Sequence, residues 1–294
     1  MYIAHFLQPF IAYLAEEHGL STHTLNGYRI DLLDFCAWFK ETNGSDPEPS
    51  DVTSIDLREY QSYLQNVRKQ KPGTVNRRFI NLRNFLRWAQ EKGYVTRFPS
   101  FPKQVSVQKA NPKALERKQQ NRLLREVERR GKVRDLALVR LLMSCGLRVG
   151  EAVNLQVDDL EIGDRYGIVI IRSGKGNKYR EVPVPPEARK ALKEWLAERD
   201  QKYPKSNQWL FPNRNGGHIS TRHVEGIIKN YATFAGLNIY PHMLRHTCAT
   251  NLIRAGYDLG TIADILGYAN VSTTAIYTRP SFHDKARALE FSEV

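Results

Sequence analysis

Four side chains of this sequence suit attack on a phosphodiester without a metal ion: Arg148, His242, Arg245 and Tyr277. An arginine presents a planar fork of donors that matches two phosphate oxygens at once. A phenol can bond covalently to phosphorus and so divide one hard displacement into two easier ones. Arg148 lies in Cys145-Gly146-Leu147-Arg148-Val149-Gly150-Glu151, at the end of an apolar helical pattern. His242 and Arg245 stand three apart, on one face of a helix that Pro241 can open at its first turn. Tyr277 follows Ser272-Thr273-Thr274, where Ser272 can cap a short helix. Each residue taken singly has an ordinary reading. Arg148 can bond helix-end carbonyls or pair with Glu151, and His242 with Arg245 is a common surface spacing. Lys175, at a Gly-Lys-Gly hairpin tip, can be a solvated turn lysine, and Tyr277 a buried structural tyrosine.

The elements that must position these groups read as mainly α. Phe6, Phe10, Tyr13 and Leu14 recur at helical spacing, as do Leu25, Tyr28, Leu32, Phe35 and Phe39 after the caps Ser21 and Thr22. Two further periodic segments, 54–69 and 74–91, are split by Lys71-Pro72-Gly73, so residues 1–97 form a four-helix domain. Between 98 and 113 the periodicity fades among Pro99, Pro102 and Pro112, which predicts a linker. In 114–294 helical patterns at 116–129 and 133–145 precede two strands, 166–171 and 179–184, joined across Ser173-Gly174-Lys175-Gly176-Asn177. From 187 onward the pattern is helical again, so the second domain is mostly helix with one small antiparallel sheet.

Composition narrows the partner. The 294 residues carry a net charge of +13, with 41% hydrophobic and 10% aromatic residues, as a folded and basic protein does. Residues 1–57 hold 2 basic and 9 acidic side chains, residues 58–92 hold 9 and 2, and residues 101–294 hold 32 and 20. Such polarity draws a polyanion to one face of the first domain and much of the second. Arg77, Arg78 and Arg83 are the expected DNA contacts within the run Arg68, Lys69, Lys71, Arg77, Arg78, Arg83 and Arg87, with the acidic 1–57 region turned away. The three cysteines form no CxxC or Cys/His cluster, and there is no P-loop or carboxylate metal cluster, so neither metal nor cofactor is expected. Without a membrane-length apolar run or a signal peptide, the expected location is the cytoplasm.

Order then adds what single residues lack. Gly-Leu-Arg-x-x-Glu from Gly146, Gly-Lys-Gly-Asn-Lys-x-Arg-x-x-Pro-Val from Gly174, His-x-Leu-Arg-His from His242, and Leu-Gly-x-x-x-x-Ser-Thr-Thr-x-x-Tyr-Thr from Leu266 resemble the tyrosine recombinase (phage integrase) family across almost all of 114–280. The four-helix segment resembles that family's core-binding domain. The resemblance implies a site-specific enzyme that cuts and rejoins two DNA duplexes as a homotetramer, without ATP or metal. Tyr277 would be the nucleophile that forms a 3′-phosphotyrosine, and Arg148 and Arg245 would clamp the non-bridging oxygens. His242 would serve as general acid/base, and Lys175 would protonate the departing 5′-oxygen. Glu151 would brace Arg148. In the same hairpin Lys178 and Arg180 would contact DNA, and the amphipathic segment 282–292 would dock into the next subunit.

Two positions depart from the family pattern. Relatives carry His or Trp after the Leu-Gly pair, where this chain has Tyr268; its hydroxyl can also donate to the phosphate. Thr278-Arg279-Pro280 replaces the more usual Thr-His, with no mechanistic account. The length leaves no room for an arm-binding domain before residue 1, which favours a Xer-like, transposon-resolution or small integrase type. Tyr268 tilts the expectation toward a mobile-element enzyme. A type IB topoisomerase would relax any supercoiled plasmid with the same groups, and a decayed scaffold would retain specific DNA without forming an adduct.

Overall fold

A computed structural model of the chain describes residues 1–107, 114–172, 179–204 and 208–268. Lys175, Lys178, Tyr277 and the segment 282–292 lie outside the described residues. The chain divides into two compact units, Met1–Lys109 and Ala110–Val294.

The first unit contains the four expected helices: α1 (Ile3–Glu16), α2 (Thr22–Asn43), α3 (Ser54–Ser62), which runs on into a π-helical turn at Tyr63–Val67, and α4 (Pro72–Glu91). Their ends follow local chemistry. The Thr24 N–H donates to the Ser21 hydroxyl at the start of α2, and Gly44 closes that helix in the left-handed region at φ 76°. Thr53 and Asp56 form a capping box at the start of α3. The core is rich in aromatic rings. Phe10 meets Phe85 and Trp88 at centroid distances of 5.3 Å each, while Phe35 and Trp38 meet Tyr60 at 5.1 and 5.0 Å.

Two expectations for this unit need correction. The first half of the stretch read as linker is docked: Phe98, Phe101 and Val105 pack on the core, and the side-chain amide of Asn76 pairs with both the N–H and C=O of Val105 at 2.8 Å. The unit boundary at Lys109 falls inside the expected 98–113 stretch, but free chain cannot begin before residue 106. Arg78 is also misplaced by the sequence reading. It is buried on the same helical face as Val75, Phe79 and Leu82, and its guanidinium bonds Asp34 on α2 and, at 3.1 Å, the Tyr60 hydroxyl. Arg77, half exposed, reaches Asp31. Part of the acidic region therefore faces α4 rather than turning away from it.

The second unit comprises α5 (Arg117–Arg130), α6 (Val133–Ser144), α7 (Val149–Val153), β1 (Leu160–Ile162), β2 (Gly167–Ile171), β3 (Arg180–Pro183), α8 (Pro186–Lys202), α9 (Thr221–Phe234), α10 (Pro241–Arg254) and α11 (Leu259–Leu266). The sheet is antiparallel in the order β1-β2-β3, with Ile168 opposite Pro183 and Ile171 opposite Arg180. The strand β1 was not expected, because three residues are too short to show an alternation. Apolar on nearly all sides, α6 buries Ala137, Leu138, Val139, Leu141 and Leu142 and packs against α5, α8 and α10.

Candidate active site

Arg148 is placed by a sharp exit from α6. Gly146 adopts φ +64°, and a Cβ there would lie 2.4 Å from Leu266 Cδ2, so only glycine lets α11 approach this closely. Arg148 then stands at the N-cap of α7. Its own N–H donates to Glu151 Oε2 at 2.8 Å, and Nη1 donates to Glu151 Oε1 at 2.6 Å. A second arginine holds the same carboxylate: Arg180 Nη1 and Nη2 reach Glu151 Oε1 and Oε2 at 3.1 and 2.8 Å. Burial pushes the Glu151 carboxyl up, but the Arg180 bonds and charge, with the Arg148 donors, outweigh this and hold it below the usual carboxylate range. Glu151 is thus a buried anionic brace between two guanidiniums.

This geometry revises Arg180. The sequence reading assigned it to DNA, yet its side chain is only 10% exposed and its Nε donates to Ile265 O at 3.1 Å. It is committed to Glu151 and to the end of α11, and acts on Arg148 from behind.

Arg245 comes from the first turns of α10 and is 1% exposed. Its Nη1 donates to Gly146 O at 2.6 Å and its Nη2 to Leu266 O. Arg148 Nη2 donates to Gly267 O at 3.2 Å. The two guanidiniums therefore meet the C-terminal end of α11, whose orphan carbonyls and dipole favour cations. Gly267 makes that end possible. It turns left-handed at φ +64°, and a Cβ on it would lie 2.8 Å from Arg180 Nη1. The Gly146 and Leu266-Gly267 elements of the motif are thus structural, allowing two arginines to share one helix end. Burial lowers the Arg245 pKa, although a guanidinium stays charged at any working pH.

His242 lies at the solvent-exposed start of α10, its ring centroid 4.6 Å from that of His246 in an edge-to-face contact. Burial, then the Arg245 and Arg148 charges, lower its pKa below the ordinary histidine value, so the ring is neutral near pH 7. His246, which the sequence reading passed over, is lowered further, to about 4, chiefly by burial. Arg148 and His242 line a cavity of about 620 Å³ with Glu225, Lys229, Asn238 and Tyr240. Thr247 also escaped the sequence reading. It accepts the Leu115 N–H at 2.9 Å and donates to Met243 O at 2.8 Å, fixing α10 to the start of the unit.

Tyr268 follows directly. Its ring lies under both guanidiniums, 4.8 Å from Arg245 Cζ and 5.8 Å from Arg148 Cζ. Arg148, His242, Arg245 and Tyr268 are thus brought together from α7, α10 and the end of α11. Among the described residues no cluster of His, Cys, Asp and Glu could hold a metal ion. None of the described helices is long and apolar enough to cross a membrane.

A helical first unit, followed in the chain by a unit that gathers two arginines and a histidine at helix ends, fits the class of DNA breaking-rejoining enzymes. The chain belongs to the phage integrase family, whose model matches residues 113–284; the family's N-terminal SAM-like domain matches residues 7–93. Relatives named tyrosine recombinase XerC, from Alcanivorax borkumensis and Thermodesulfovibrio yellowstonii, are 33% and 35% identical over 97% and 93% of this chain and 92% and 91% of their own. A XerD from Caulobacter vibrioides is 34% identical over 92% of this chain and 90% of its own. The XerH recombinase bound to its difH substrate before cleavage shares the fold at a TM-score of 0.75, with 24% identity over 98% of this chain and 84% of that one. The XerA recombinase matches at a TM-score of 0.56 and 26% identity, covering 99% of each chain.

Proposed function

We propose that this chain recombines two DNA duplexes at a specific site through a 3′-phosphotyrosine carried by Tyr277. The Tyr277 oxygen attacks phosphorus, the bond to the 5′-oxygen breaks, His242 takes the phenolic proton and Lys175 delivers one to the leaving oxygen. Arg148 and Arg245 hold the non-bridging oxygens as charge builds on them. The phosphodiester energy is kept in the tyrosyl link, so the 5′-hydroxyl of another strand can reverse the reaction without ATP. The observation that carries this reading is the pair of guanidiniums set at one helix end, with the His242 imidazole lining the same cavity as Arg148. Each terminal nitrogen of Arg245 gives one N–H to a backbone carbonyl, Gly146 O or Leu266 O, and among the described residues the second N–H on each is left for a phosphate.

DNA contacts in the first unit fall to Arg77, Arg83 and Arg87 rather than to Arg78. In the second unit they fall to Lys178. The working form is a homotetramer in which 282–292 docks on a neighbouring copy. The mobile-element setting expected from Tyr268 would show as inverted repeats flanking the gene.

The reaction is tested with a pool of duplexes of randomised sequence, each nicked near its centre so that cleavage releases a short strand and cannot reverse. Wild type is expected to leave some duplexes attached through a denaturant-resistant bond, and sequencing them gives the site. Tyr277→Phe is expected to bind the same duplexes and leave none attached. Adducts surviving in that variant, or relaxation of plasmids lacking the site at full rate, would overturn the reading.

A further inference from the structure

Two like-charged guanidiniums at one helix end repel each other, and the Glu151 carboxylate contacts only one of them, Arg148. The Tyr268 ring meets both. Its distances of 4.8 and 5.8 Å to Arg245 and Arg148 lie within the roughly 6 Å over which a ring face attracts a cation. The ring is itself held. The Tyr268 N–H donates to Ala263 O at 2.9 Å, the closing bond of the α11 terminus, and the side chain packs against the small cluster of Ala249, Ile262 and Leu266. Toward Arg245 the hydroxyl is the weaker handle: Nε lies 3.5 Å from it, longer than a normal hydrogen bond.

We propose that Tyr268 is a positioning residue for strand cleavage, its ring bridging Arg148 and Arg245 so that both act as one clamp on the scissile phosphate. This rests on the strand-exchange reading above. It gives Tyr268 a role through the arginines, in place of the direct hydroxyl donation to phosphate expected from the sequence. The ring face lowers the repulsion between the guanidiniums before DNA arrives, so their free N–H groups need not reorganise when the phosphate enters.

The test measures single-turnover adduct formation on a nicked duplex that wild type captures covalently. Tyr268→Phe keeps the ring and is expected to cleave within about tenfold of wild type, whereas Tyr268→Leu and Tyr268→Met are expected to be roughly 100-fold slower. The same duplex is then made with a methylphosphonate at the scissile position, where a methyl group replaces one non-bridging oxygen and removes the charge. On it the gap between Tyr268→Leu and wild type is expected to close to about tenfold or less, because the clamp has no full charge to balance. General damage to the site would slow both substrates alike. Melting temperature and affinity for intact duplex report on folding, and Tyr268→Met serves if Tyr268→Leu fails to fold. The proposal is overturned if Tyr268→Phe falls as far as the aliphatic variants, if these stay within tenfold of wild type, or if their deficit persists on methylphosphonate. A wild type that forms no adduct would instead sink the strand-exchange reading.

Discussion

The two arginines are chemically alike and structurally unequal. Arg148 keeps a quarter of its side chain exposed, whereas Arg245 is sealed in and satisfies two backbone carbonyls. Arg148→Ala is expected to slow adduct formation by about 10²–10³-fold, some 3–4 kcal/mol of transition-state stabilisation, with a smaller fall in melting temperature than Arg245→Ala because Arg180 still holds Glu151. Arg245→Ala should slow it as much and also lower the melting temperature, because Gly146 O and Leu266 O are left without donors. Parallel rate and melting measurements separate the two; equal melting losses would refute the distinction. The histidines give a pH prediction. Both His242 and His246 have folded pKa values below their unfolded value of about 6.5. Above that pH both states are neutral. As pH falls below it, the unfolded chain takes up protons that the folded chain refuses, so stability falls, for His246 down to about pH 4. With His242 as the proposed base, the acid limb of cleavage is expected below pH 6.5 rather than above it. A limb centred near pH 7.5 in the pH–rate profile would exclude this assignment.

At the scale of elements, the site depends on how closely α11 approaches the exit from α6. Gly146→Ala places a methyl group where Leu266 Cδ2 now lies and imposes a left-handed backbone on alanine. A loss of about 1–3 kcal/mol is expected by denaturant unfolding, together with reduced cleavage, because Leu266 and the carbonyls beside it must move. Unchanged unfolding and cleavage would mean that the approach is less constrained than the geometry implies. In the first unit the docked stretch after α4 behaves as part of the fold. Phe101 stacks on Phe98 and meets Phe79 edge-on, and the Arg83 guanidinium lies 4.6 Å from its ring centre. Phe101→Ala should therefore destabilise that unit by about 1–3 kcal/mol, which free linker would not.

For the whole molecule, the basic balance of +13 predicts strongly salt-dependent DNA binding. Arginines on one helix should nevertheless divide by function. Arg87 is exposed on α4, so Arg87→Ala is expected to lower the slope of log K against log salt by about one unit or slightly less. Arg78→Ala should leave that slope unchanged and instead cost about 3–5 kcal/mol in folding stability, since Asp34 and Asp31 lose their buried partner. The reverse pattern in salt titrations and melts would restore Arg78 to the DNA face. Deleting 282–294 should spare single-site binding and abolish ordered pairing of sites, as seen by native gel or light scattering. Normal recombination by the truncated protein would remove that segment from assembly.

Periodicity, caps and motif order are local properties, so the sequence by itself determined the four helices of the first unit and the helical second unit with its hairpin strands, and it singled out Arg148, His242, Arg245 and Tyr268, which the structure gathers in one place. It also determined the family, since four motifs in one order carry information that no single residue does. Partner choice is not local. Arg78 was legible as basic, but only the packing of α2 against α4 sets it beside Asp34, 44 positions away. Arg180 looked like a DNA contact until the sheet brought it to Glu151, 29 positions away. Phe98 to Val105, with three prolines nearby in sequence, became part of a core because the aromatic face of α4 was there to receive them. The Tyr268 ring lies against two arginines because α7, α10 and the end of α11 converge on Gly146. A helix fixes where its own side chains point; which side chains they meet is settled only when the helices pack.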